Sequence, residues 1–309
     1  MTTAYISHSD CLLHNMGPEH PESPVRLQAI RKVLERTGLM EQLDCLTAVP
    51  VTDEQIRLAH ATLHQKKLEM KVPEQGVVYT DDDTALCPDS LHAASLAAGG
   101  VILATNRVLS GKAENAFCAV RPPGHHAEFN TPMGFCFYNN VAIGACHALL
   151  HDGIERVAVL DFDVHHCNGT VDIFKDRPEV LVCSTFQHPY YPERYVEIDR
   201  PNIVNCPIPA HSEPEVFRQA ILERWIPALE AHQPDMIFIS AGFDAHKEDP
   251  MADLNLDEED YRWVTQQIMQ IAERFSQKRI VSVLEGGYNP VSLAFSVQAH
   301  VETLAGLSD

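Results

Sequence analysis

The chain reads as an α/β protein with a mostly parallel central sheet flanked by helices on both faces. Three observations predict this. Short apolar runs alternate with segments of helical periodicity along the 309 residues, and strands that alternate with long helices pair in parallel and are covered on both sides. No repeat, low-complexity tract or Pro/Gly/Ser linker divides the sequence, so residues 1–309 are expected to form a single domain. Nearly every unusual polar motif follows directly on an apolar run, which is where open α/β sheets bind ligands.

Residues 24–37 open with Pro24 and carry Val25, Leu27, Ile30, Val33 and Leu34 at helical spacing. Residues 89–109 form a second helix with Leu91, Ala94, Leu96 and Ala97 on its apolar face. Residues 117–120 read as a buried strand, 139–151 as a helix and 157–163 as a strand. Further strands are expected at 180–184, 236–240 and 280–284, with helices at 214–231, 257–276 and 290–306.

At 45% hydrophobic and 21% charged, the chain can bury a full core, which argues against disorder. Its net charge of -20 repels nucleic-acid phosphates and anionic membranes and attracts basic peptides or cationic small molecules. Direct nucleic-acid and membrane binding are therefore not expected, while self-association into a homo-oligomer is left open. Nine cysteines, none in a CxxC pair, argue for a reducing compartment and against a disulfide framework. The segment Met1–His8 has neither a basic region nor an apolar stretch, and no run approaches the roughly 20 residues of a membrane helix. A cytoplasmic location is expected.

Four strand ends carry chemistry. Arg121-Pro-Pro-Gly-His125-His126 follows the first, Asp161-Phe-Asp163-Val-His165-His166 ends the second, Ser240-Ala-Gly-Phe-Asp244 the third and Leu284-Glu-Gly-Gly-Tyr288 the fourth. On an extended strand Asp161, Asp163 and His165 would share one side. Two carboxylates and an imidazole with one position left open form a catalytic zinc pattern. The same donors also suit Fe(II), Co(II) or Mn(II). Such a metal lowers the pKa of bound water to about 7 and polarises a carbonyl. The His125-His126 pair would handle proton transfer, and Tyr288, preceded by two glycines, would approach closely enough to donate to an oxyanion. His60 and His64, four residues apart, read as a solvated helix face, and Cys87 and Cys136 as free buried thiols. His188 has no role that its neighbours suggest.

These residues resemble the zinc-dependent histone deacetylase family, within the arginase–deacetylase fold of about eight strands. The similarity runs from His20-Pro-Glu22-Ser-Pro24-Val-Arg26 to Leu284-Glu-Gly-Gly-Tyr288, through Arg121-Pro-Pro-Gly-His-His-Ala-Glu128 and Met133-Gly-Phe-Cys-Phe-Tyr-Asn-Asn140. Asp163-Val-His-His-Cys-Asn-Gly-Thr170 resembles the class II branch, with Cys167 where Gly is usual. The resemblance implies Asp163, His165 and Asp244 as zinc ligands and His126, oriented by Asn168, as general base and acid. It implies His125, paired with Asp161, as a charged transition-state stabiliser and Tyr288 as the carbonyl polariser.

It further implies a structural potassium ion at Asp161, Asp163, His165, Ser184 and Thr185, and a second monovalent site at Phe174, Arg177 and Val180. Gly134, Phe135 and Tyr191 would line the tunnel for the lysine stem, together with Gly286 beside the tyrosine. Asp83 would grip the substrate backbone, and Arg26 would line an acetate exit channel. The implied activity is hydrolysis of N6-acyl-lysine in a peptide or protein. The rival is hydrolysis of an acetylpolyamine or other acylated small amine. Polyamine specialists can carry an acidic gatekeeper seven residues past the second zinc Asp, where this chain has Met251. A catalytically silent metal-bound binding protein and a non-haem iron oxygenase are more distant alternatives.

Overall fold

The computed structural model describes residues 2–307. Strands are β1 Thr3–Ser7, β2 Asp44–Thr47, β3 Val78–Tyr79, β4 Ala85–Leu86, β5 Asn115–Cys118, β6 Val157–Asp161, β7 Val180–Gln187, β8 Ile203–Ile208, β9 Met236–Ala241 and β10 Ile280–Leu284. Helices are α1 Val25–Arg36, α2 Asp53–Ile56, α3 Thr62–Glu69, α4 Ser90–Leu109, α5 Asn140–Ala148, α6 Asn168–Phe174, α7 Pro214–Ala220, α8 Ile226–His232, α9 Glu258–Phe275 and α10 Pro290–Leu304. A π turn at Ile221–Trp225 joins α7 to α8, so the helical stretch expected from 214 is one rod with a local bulge.

Eight strands form one parallel sheet in the order β2-β1-β5-β10-β9-β6-β7-β8, while β3 and β4 make a separate antiparallel pair. Helices α4, α5 and α6 pack on one face; α10 lies on the other, between α1 and α9. This is the α/β architecture expected, an eight-stranded parallel sheet flanked by helices on both faces. Central strands β5, β6, β9 and β10 are buried along their whole length, which explains their unbroken apolar runs. No helix among the described residues is long and apolar enough to cross a membrane.

Two boundaries differ from expectation in a way that matters. The strand placed at 117–120 lies at 115–118, so Arg121 starts well inside the loop. The strand placed at 157–163 ends at Asp161. There the Asp161 carboxylate accepts from Asp163 N (3.1 Å), and the Asp163 carboxylate from His165 N (2.9 Å). Two successive Asx turns thus curl the chain away from the ladder. Asp161, Asp163 and His165 are carried by a curled loop, not by one side of a strand.

Strands β5, β10, β9 and β6 are consecutive neighbours in the sheet. Their carboxyl-terminal loops are the four motif segments, which therefore meet at the middle of one rim.

Candidate active site

Asp163, His165 and Asp244 converge at that rim, buried, with one ligand atom from each within 4.8 Å of the others. The same nitrogen, His165 Nδ1, faces Asp163 Oδ1 and Asp244 Oδ2, each at 3.1 Å. The outer oxygens are already engaged: Gly286 N donates to Asp163 Oδ2 (2.8 Å) and Val164 N to Asp244 Oδ1 (2.9 Å). A Cβ on Gly286 would lie 2.1 Å from Asp244 Oδ2 and 2.6 Å from Asp163 Oδ2. Glycine therefore leaves a cradle between two carboxylates and one imidazole, a donor set that fits a divalent metal. Positive charge between buried carboxylates this close is stabilising.

The two adjacent histidines have opposite electrostatic surroundings although their rings are 4.0 Å apart. Burial works against a proton on His125, but Asp163 and Asp161 outweigh it and hold the pKa up at about 10. His125 Nδ1 donates to Asp161 Oδ2 at 3.0 Å. Burial, with the charges of His125 and His165 nearby, pushes His126 well below the ordinary imidazole value. His126 Nδ1 meets Asn168 Oδ1 at 2.7 Å. One histidine is thus held charged and the other neutral, which separates electrostatic from proton-transfer duties.

A cavity of about 210 Å³ leads to this cluster, lined by Asp83, His126, Gly134, Phe135, His165, Tyr190, Tyr191, Met251 and Tyr288. Every tunnel residue expected from the sequence except Gly286, which sits against the metal cradle, is in that wall. Gly134 has φ 56°, and a Cβ there would come 2.4 Å from the His126 ring, so only glycine brings the wall so close to that ring. Phe135 N donates to Thr84 Oγ1 (2.9 Å), and the Phe135 ring meets Tyr288 edge-on at 5.9 Å. Burial, reinforced by Asp244, keeps the Tyr288 hydroxyl protonated, well above its usual pKa.

Several supports were not legible in the motifs. Tyr190 stacks on His165 at 5.6 Å. Glu285 accepts from Gly124 N (2.7 Å) and His125 N (3.0 Å), tying the loop after β10 to the histidine loop. Asp249 accepts from Tyr288 N (2.6 Å) and Met251 N (3.0 Å) and so positions two tunnel residues at once. Burial and the nearby Asp244 push its pKa up to about 7. Arg26 is fully buried behind Tyr288, its guanidinium 5.0 Å from the ring centre. It donates to the carbonyls of Gly287 (2.6 Å) and Glu285 and pairs with Glu22 (3.3 Å). Glu22 in turn takes Arg121 in a two-point bond at 2.6 and 2.7 Å. The one available signal was charge inside apolar context: buried Arg and Glu survive only when paired.

His60 and His64 do not form a solvated face. Both are buried, stacked at 4.6 Å, and they anchor the tunnel-side loop. Asn139 N donates to His60 Nε2 (2.8 Å), His60 Nδ1 donates to Glu128 O (3.0 Å), and His64 Nε2 meets Phe137 O (2.7 Å). Cys87 and Cys136 are buried free thiols. Cys167 precedes α6 with φ -76°, a conformation any residue adopts, so the loop does not require Gly there.

Of the residues expected around potassium, Ser184 lies opposite Asp161 in register, its hydroxyl 3.1 Å from His166 Nδ1, and Thr185 Oγ1 is buried without a partner among the described residues. The second monovalent site fits poorly. The carbonyls of Phe174, Arg177 and Val180 do converge, but all three accept from Asn202 Nδ2 at 2.8, 3.1 and 2.9 Å. The Asn202 amide stands where a cation would.

Fold and site together define an α/β protein of the arginase–deacetylase type with a three-ligand metal cradle. The histone deacetylase domain model matches residues 20–304, and the chain belongs to that family. The histone deacetylase-like amidohydrolase of Pseudomonas aeruginosa is 33% identical over 99% of this chain and 86% of its own length. The mouse polyamine deacetylase HDAC10 is also 33% identical, over 99% of this chain and 48% of its own. The crystal structure of the HDA15 HD domain aligns with a TM-score of 0.92 at 31% identity, covering 99% of this chain and 90% of that one.

Proposed function

We propose that residues 1–309 are a single catalytic domain that removes acetyl or other acyl groups from lysine side chains, with zinc held by Asp163, His165 and Asp244. The observation that carries this reading is the unequal histidine pair beside the metal cradle at the end of a tunnel closed by Tyr288. When bound, zinc would lower the pKa of a water and polarise the acyl carbonyl. His126, neutral and anchored through Nδ1, has Nε2 free to take the water proton and to pass it to the departing amine. His125, held charged by Asp161, stabilises the negative charge that develops on the carbonyl oxygen in the transition state. The Tyr288 hydroxyl donates to the carbonyl oxygen. Phe135 and Tyr191, with Gly134, hold an apolar stem, and Asp83 at the mouth accepts from the substrate backbone. Arg26, close behind Tyr288, borders the path by which acetate leaves. A potassium ion between Asp161, Asp163, His165, Ser184 and Thr185 would fix the ligand loop. The nine free cysteines suit a cytoplasmic setting.

Met251 lines the tunnel, and its apolar side chain offers nothing to a second substrate cation, which favours acyl-lysine. The -20 charge and the mouse relative's name favour acetylpolyamine as the second reading. The test is acetate release by zinc-loaded protein from acetyl-lysine peptides, longer acyl-lysine peptides, acetylputrescine and acetylspermidine. We expect the acetyl-lysine peptides to give the highest kcat/KM. A lead for acetylspermidine would select the polyamine reading, and no release from any substrate would remove both.

A further inference from the structure

The amide of Asn168 has one acceptor end and one donor end, and its orientation decides which nitrogen of His126 carries a proton. Its Nδ2 lies among acceptors: Glu128 Oε1 at 2.8 Å, Met133 Sδ at 3.2 Å and the His126 carbonyl at 3.4 Å. Its Oδ1 is thereby turned to His126 Nδ1 at 2.7 Å, which must be the protonated nitrogen. Nε2 is left with its lone pair towards the tunnel. The charged member of the surroundings is Glu128, only 4% exposed. Its second oxygen, Oε2, pairs with Arg194 Nη2 at 3.1 Å. Arg194 belongs to the loop that carries Tyr190 and Tyr191, and the Tyr191 ring meets His126 edge-on at 5.2 Å.

We propose that Glu128 is a positioning residue for His126: through Asn168 it fixes the imidazole tautomer, and through Arg194 it ties the base to the tunnel-wall loop. The inference rests on His126 being the base of the deacetylase reading. Two donors, Asn168 Nδ2 and Arg194, face this side chain, and a carboxylate gives each its own oxygen. Glutamine has a single oxygen. If that oxygen goes to Arg194, the glutamine NH2 faces Asn168, turns the amide over and moves the His126 proton to Nε2, where it blocks the base.

The experiment compares wild type, Glu128→Gln and Glu128→Gln/Arg194→Met as zinc-loaded enzymes on an acetyl-lysine peptide. Glu128→Gln keeps the shape of the side chain, so a merely structural role predicts wild-type turnover. We expect kcat to fall about tenfold with KM within about twofold, and zinc content and Tm unchanged, because proton transfer contributes to kcat. In the double variant the glutamine oxygen is free to serve Asn168, and kcat should return to within about threefold of wild type. Wild-type kcat in the single variant, or no recovery in the double, overturns the proposal. Should either variant fail to fold, imidazole 15N shifts of His126 in the wild-type zinc enzyme decide: the Nδ1–H tautomer supports the inference and the Nε2–H tautomer overturns it. An enzyme inactive on the acetyl-lysine peptide as wild type would instead overturn the acyl-lysine reading.

Discussion

Tyr288 owes its position to residues outside the tunnel wall. Its backbone is held by Asp249, the next residue caps α10 through Asn289 Oδ1, and Arg26 lies behind its ring. Removing only its hydroxyl leaves all of this in place. Tyr288→Phe should therefore lower kcat more than about a hundredfold, the scale of one oxyanion donor, with no change in Tm. Near-normal turnover in steady-state assays would show that the phenol does not polarise the carbonyl. Gly286 makes a complementary case. Its missing Cβ is the space between Asp163 and Asp244, so Gly286→Ala should abolish tight zinc binding. Titration with a zinc chelator should show at least about a hundredfold weaker affinity, while circular dichroism remains that of the wild type.

At the scale of elements, legibility followed burial. Strands β6, β9 and β10 are buried on both faces and show as apolar runs, as does the buried core of β7. Edge strand β2 does not show as an apolar run because it alternates partly buried and exposed residues, and edge strand β8 does not because Asn205 and Pro207 interrupt it. β1 does not show as an apolar run although it is largely buried, since Thr3-Ala-Tyr-Ile-Ser7 contains three hydroxyl residues and only one aliphatic side chain larger than Ala. Helix α6 is short, and tertiary contacts rather than periodicity hold it. The motif residues were legible because so many unusual side chains fell directly after strands. The Glu22–Arg121–Arg26 cluster and Asp249 were not, since Arg121 stands 99 residues from Glu22 and Tyr288 stands 39 residues from Asp249. His60 and His64 were misread for a related reason: a histidine shows its burial only through backbone groups that sequence does not place beside it.

For the molecule as a whole, buried neutral histidines contribute to the loss of stability in acid. Burial lowers His60 and His300 to about 3 from 6.5. His300 sits between Thr265 and Ser282 hydroxyls at 2.6 and 2.8 Å. Both folded values are depressed, so the unfolded chain binds the extra protons. Their contribution is intact above about pH 6.5 and is lost as pH falls from there towards about 3. Each costs about 1.4 kcal/mol per pH unit in that window. His300→Asn should reduce the pH slope of unfolding free energy by about one proton between pH 6 and 4, measured by urea denaturation. An unchanged slope would mean that His300 is protonated in the fold.

The sheet order has a consequence for synthesis. The last strand made, β10, is inserted between β5 and β9 rather than added at an edge. Until residues 280–284 have emerged, the nascent chain can form only two separate half-sheets, each with an inner edge of unpaired backbone groups exposed. Such edges invite pairing with other chains, so folding intermediates are the stage most prone to aggregation.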